Sequence, residues 1–101
     1  MEQRMSHKVR VLALFVAKAE KIEDLKKLLS SFIEPTRTEA GCVFYELHRN
    51  NSNPCDFAFI EEWESNETLD QHLQSAHIQE ALPKLEELLE KKPDIRRYQL
   101  L

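Results

Sequence analysis

The side chains best able to do chemistry in this chain are His48, His72 and His77, together with the stretch FAFIEEWES at 57–65, which sets Glu61, Glu62, Trp63 and Glu64 side by side. A neutral imidazole takes up a proton near neutral pH, so each histidine is a candidate general base. His72 and His77 flank an expected break between two helices. His77 falls near a helix N-terminus, whose positive dipole end favours the neutral ring, and this makes it the preferred base. His72 is then a substrate contact, or else a surface or capping residue. His48 is the other candidate base, although strand alternation puts it with Phe44 and Glu46, where a satisfied histidine at a subunit interface serves as well. A metal is not expected. The five-residue spacing of His72 and His77 does not stack two side chains on one helical face, and no nearby Cys or Asp completes a ligand set.

Alternation along a strand sends Glu61 and Glu62 to opposite faces, so they are not a catalytic carboxylate pair. One of them should reach solvent or pair with Arg49 or Arg97, and the other should hydrogen-bond within a pocket. Trp63 shares its face with Phe57, Phe59 and Glu61. If the chain turns near residue 53, Tyr45 and Leu47 join that face. Trp63 is then either a large core residue or the wall of a site for a planar molecule, with its N–H as a donor. Tyr45 and Phe59 would position a ring beside it. Arg37, in PTRTEAG, is a surface residue or a partner for an anionic substrate oxygen.

The elements that must position these groups can be read from pattern. VRVLALFVA (9–17) reads as the first strand, CVFYELHRN (42–50) as the second and DFAFIEEWE (56–64) as the third. EKIEDLKKLLSSFIE (20–34) carries Ile22, Leu25, Leu28, Leu29, Phe32 and Ile33 on one helical face, and Pro35 disrupts it. Gly41, the single glycine, supplies a turn with positive φ. NSNPC is turn chemistry between strands two and three. Ser65 and Ser75 are expected caps of two further helices, the second with Ile78, Leu82, Leu85, Leu88 and Leu89 inward and a kink or restart at Pro83. Pro93 releases DIRRYQLL as the fourth strand. The order β-α-β-β-α(α)-β is that of an α+β, ferredoxin-like split βαβ fold, an antiparallel sheet with helices on one face. Strand one, however, is apolar on both faces, and no spare helices exist for the second. A second copy of the chain, sheet against sheet, is the expected cover, which predicts a homodimer.

The 101 residues are 42% hydrophobic and 32% charged with a net charge of −4, consistent with one globular domain over 9–101 after a loosely ordered 1–8. The scattered Lys and Arg make no basic stripe, so nucleic acid is not an expected partner. No apolar run is long enough to span a membrane, and MEQRMSHK lacks the apolar centre of a signal peptide; a cytoplasmic location is expected. Cys42 and Cys55 fall at opposite ends of a hairpin, roughly 30 Å apart, and are expected to stay reduced.

EPTRTEAGCVFYELHRN and FAFIEEWESNETLDQHLQSAHI resemble the antibiotic biosynthesis monooxygenase (ABM) domain, above all its small quinol-monooxygenase-like members, across residues 9 to 100. The resemblance implies a dimeric α+β barrel with a pocket in each subunit between sheet and helices. It also implies oxygenation of an electron-rich phenol or quinol by dioxygen with no metal, haem or flavin, the deprotonated substrate itself reducing oxygen. The superfamily includes isomerases and haem-degrading enzymes as well. An isomerase or lyase of a small hydroxycarbonyl compound is therefore the alternative, and a non-enzymatic dimeric small-ligand binder the third reading. The haem branch uses an asparagine on strand one, which 9–17 lacks. That branch also has a tryptophan where this chain has His72, and its iron-binding histidine where this chain has Leu82.

Overall fold

The computed structural model describes residues 8–101; the loosely ordered N-terminus expected over 1–8 lies almost wholly outside them. The elements are β1 (Val9–Val16), a 3-10 turn (Ala19–Lys21), α1 (Ile22–Ser30), α2 (Ile33–Arg37), β2 (Cys42–Arg49), β3 (Asp56–Trp63), α3 (Asn66–Leu73), α4 (Ala76–Leu88) and β4 (Asp94–Tyr98). The strands form one antiparallel sheet in the order β2-β3-β1-β4. This is the α+β, ferredoxin-like arrangement, with the helices covering one face.

The covered face is built by alternation. Val9, Val11, Ala13 and Phe15 of β1 and Phe57, Phe59, Glu61 and Trp63 of β3 are all buried, and each neighbour in sequence is less so. Tyr45 pairs with Glu61 and Leu47 with Phe59, so the hairpin keeps odd positions on one face. Its turn is held by side chains: Asn50 Oδ1 accepts from the Ser52 amide at 2.8 Å and Asn53 Oδ1 from the Cys55 amide at 3.0 Å. Leu25 and Leu29 of α1, one turn apart, are fully enclosed against this face together with Leu69 of α3 and Leu85 of α4. Each such burial is worth about 1.5–3 kcal/mol. Cys42 and Cys55 are free thiols.

The other face carries Leu12, Leu14 and Val16 of β1 with Phe44 and Ile60, all half-buried. Arg10 lies over the Phe44 ring at 5.1 Å and pairs with Glu62 at 2.6 Å. Glu62 thus finds neither Arg49 nor Arg97. Arg97 is turned to Asp70 and Asn66 of α3, and Arg49 sits over the Phe57 ring.

Three local expectations need correction. The helix expected over 20–34 is broken into a 3-10 turn, α1 and α2. The break falls at Ser31 and Phe32, where the Ser31 amide is shared between two carbonyls and Phe32 bonds back only three residues. Pro35 is the third residue of α2, where no helical N–H is needed. Ser75 precedes α4 but gives it no side-chain cap, and its Oγ is buried without a hydrogen bond. Pro83 lies inside an unbroken α4, and Leu82 points outward, 45% exposed. Among the described residues no helix is long and apolar enough to cross a membrane.

Candidate active site

β3 ends at Trp63, and Ser65 starts α3 through a reciprocal cap: its Oγ accepts from the Thr68 amide while Thr68 Oγ1 accepts from the Ser65 amide. With the start of α3 fixed, Leu69 and His72, on one helical face, turn toward the sheet. His72 is 3% exposed and stacks on Trp63 with ring centres 4.7 Å apart, and it meets Tyr45 edge-on at 5.5 Å. Tyr45 in turn stacks on Phe59 at 4.4 Å.

The link between α2 and β2 closes over α3 at Gly41, where φ is +87°; a β-carbon there would come within 2.4 Å of Thr68 Cβ. This approach carries Glu39 into the histidine pair. Its Oε1 lies 2.9 Å from His72 Nδ1 and its Oε2 3.4 Å from His77 Nε2, while Thr36 Oγ1 is 3.0 Å from the same His77 nitrogen. Gly41→Ala suffers both the positive φ and the clash. We expect a loss of about 3 kcal/mol in stability, read as a lower urea midpoint at unchanged slope.

Trp63 is fully enclosed, and its Nε1–H donates to Glu61 Oε1 at 2.8 Å. Beside this pair opens a cavity of about 240 Å³ between sheet and helices. Phe15, Phe32, Tyr45 and Phe59 form its aromatic walls, Glu61 and His72 bring polar atoms, and Ile78, Leu82 and Ile95 stand at the rim. Burial raises the Glu61 carboxyl to about 7, against the Trp63 hydrogen bond that lowers it and with a further push from Glu39. Burial drives His72 down to about 4, with His77 adding to the effect. Burial also lowers His77, which Glu80 partly opposes, and raises Glu39. The Tyr45 phenol is held well above its usual range by burial and by Glu61, so it stays protonated.

The structure therefore gathers Tyr45, Phe59, Glu61 and His72 at one cavity, with Trp63 behind them as the partner of Glu61 and not as a wall. His77 lies next to this group, in contact with Phe32, Thr36 and Glu39 but outside the cavity lining. Arg37 is not turned to the cavity: its Nε and Nη2 both donate to the Tyr45 carbonyl, fixing β2 to α2. His48 is on the opposite face, half-exposed and 3.2 Å from Glu46. Glu39 was not singled out by sequence. No Cys or Asp stands near His72 and His77 in sequence, but Glu39, 33 positions upstream of His72, joins them through the fold. The glycine after TEA, which allows a close backbone approach, was the available signal.

The sequence model described as "Antibiotic biosynthesis monooxygenase" matches residues 8–84. A Synechocystis protein, sll1783, is 34% identical over 82% of this chain, which spans 56% of that relative's length. The Mycobacterium tuberculosis protein Rv0793, which carries the provisional name of monooxygenase, is 32% identical over 84% of this chain and 83% of its own. A conserved protein of Methanosarcina mazei superposes with TM-score 0.86 at 37% identity, covering 91% of both chains. PA3566 of Pseudomonas aeruginosa superposes with TM-score 0.90 at 28% identity over 98% of this chain and 99% of its own. By sequence and by fold, the chain belongs to the antibiotic biosynthesis monooxygenase family.

Proposed function

We propose that this protein oxygenates a small phenolic or quinol compound with dioxygen and without a cofactor. The observation that carries the reading is a carboxyl group raised to about 7, Glu61, at an apolar cavity walled by the stacked Tyr45–Phe59 pair. A planar ring fits against that pair. A base whose affinity for protons matches neutral pH is the one suited to take a phenolic proton. Glu61 is therefore our base, in preference to His77, which lies outside the lining, and to His48, which lies on the other face of the sheet. His72, kept neutral and bordering the cavity, orients the substrate hydroxyl.

In this scheme Glu61 removes the phenolic proton and the anion transfers an electron to dioxygen. The resulting radicals combine at a ring carbon. Breakdown of the peroxide leaves one oxygen as a quinone carbonyl and releases the other as water with the two hydrogens lost from the ring carbon and the hydroxyl. The substrate supplies every electron, so no added reductant is needed. The apolar walls keep competing water from the anion. An oxygen electrode with a panel of phenols and quinols tests this: uptake without reductant, matched by quinone formation, is expected. Conversion of a hydroxycarbonyl compound with no oxygen uptake would replace the reading with that of an isomerase.

We further propose that the working unit is a homodimer joined through the outer sheet face of Leu12, Leu14, Phe44 and Ile60. That apolar surface supports the idea, since a solvated sheet face would alternate to polar residues. Sedimentation at micromolar concentration should give twice the 11.9 kDa chain mass, and a monomer would refute it.

A further inference from the structure

Beside the cavity, the scheme above leaves Glu39 and His77 unused. We propose that Glu39, His72 and His77 form a binding site for a divalent first-row transition ion of the zinc and cobalt class. Each residue offers one ligand atom, and these atoms all lie within 4.8 Å of one another. His72 Nδ1 and Glu39 Oε1 are 2.9 Å apart, and His77 Nε2 and Glu39 Oε2 are 3.4 Å apart. Ligands at about 2.0–2.1 Å from a tetrahedral ion stand roughly 3.3 Å from each other. Each imidazole is near that distance from a different oxygen of the Glu39 carboxylate, and an ion would draw the set inward from its 4.8 Å span. His77, the more exposed of the two histidines, has the freedom to move.

A second observation points the same way. Glu39 Oε2 is buried and makes no hydrogen bond, although it faces His77 Nε2. A buried carboxylate oxygen without a donor is costly, and a cation between it and the imidazole nitrogen would satisfy both. Trp63 stacks on the His72 ring and supports its orientation from outside, whereas the Thr36 hydroxyl lies on His77 Nε2 itself and must give way to an ion. Two imidazoles and one carboxylate select zinc, cobalt, nickel or copper over magnesium and calcium, which prefer all-oxygen sites. His77 stands in the first turn of α4, whose positive end opposes a cation. That effect is ~0.3–1 kcal/mol and small beside a three-ligand metal bond set. Because the ligands come from the α2–β2 link, α3 and α4, an ion would staple three segments together.

The site needs no substrate for its test. Trp63 is the sole tryptophan and touches the His72 ring, so cobalt at the site should quench its fluorescence saturably, and zinc, the tighter binder at a site of this kind, should displace it and restore the emission. Glu39→Gln and His77→Ala should each weaken the titration ~100-fold or more, with magnesium silent throughout. Zinc at one hundred times its Kd should raise the melting temperature by on the order of 10 °C in the parent protein and not in Glu39→Gln. Absence of saturable zinc binding by calorimetry, or equal binding by the folded variants, would overturn the proposal. Oxygen uptake after chelation is a separate measurement: its presence or absence bears on the oxygenase reading and leaves the binding result as it stands.

Discussion

Glu61→Gln should fold and yet lose turnover by ~10²–10⁴-fold, because the amide keeps the shape and the Trp63 hydrogen bond but cannot take a proton. In the parent protein kcat/KM should rise with pH. A base must be ionised to act, and Glu61 ionises at about 7, so the rate is low on the acid side and levels off above that value. Glu39, Cys42 and Tyr45 are the titratable neighbours linked to it electrostatically. Of these, Cys42 and Tyr45 are both raised above their usual ranges, so neither supplies a competing limb below neutrality. A glutamine variant with parent-like rates, or a parent profile flat between about pH 6 and 8 (roughly one unit on each side of the expected midpoint), would remove Glu61 from the base role.

Trp63→Ala should destabilise by about 3–5 kcal/mol, since it empties a fully enclosed site under α3. Trp63→Phe is the more telling change. It keeps most of the apolar area and removes the N–H that holds Glu61 Oε1. That hydrogen bond lowers the Glu61 pKa, so its loss should raise the group further. The sign follows: the rising limb of the activity profile moves to higher pH, and activity at pH 7 falls while activity at high pH recovers. A merely structural tryptophan would lower stability, by ~1–3 kcal/mol for the orphaned acceptor, and leave the limb where it was.

The order of strands and helices was legible because each depends on local pattern. Alternation gave β1 to β3 their inward faces, and the odd-to-odd pairing of Tyr45 with Glu61 followed from the position of the turn. Ser65 as a cap and Gly41 as a positive-φ turn were legible for the same reason. The rest was decided by contacts distant in sequence. Glu39 joins His72 and His77 only because Gly41 packs on Thr68, a closeness that no periodicity encodes. Trp63 was placed on the correct face, but which atom its N–H would find depended on the rotamer of Glu61. Pro35 and Pro83 misled in a different way. Pro35 falls in the first turn of α2, where it costs no helical bond, and at Pro83 the packing of α4 against α1 and the sheet outweighs the loss.

Pro83 has a further consequence. It has no amide proton, so the Gln79 carbonyl one turn earlier receives no helical bond in α4. Ile78, Gln79 and Leu82 stand at or near the cavity rim, on the stretch where that rung of the ladder is missing. With one rung missing, bending α4 costs less there than elsewhere along the helix. The mouth thus has a built-in hinge: amides before Pro83 should exchange with deuterium through a shallow local opening, and those of Leu85 and Leu88 only with the deeper unfolding of the core.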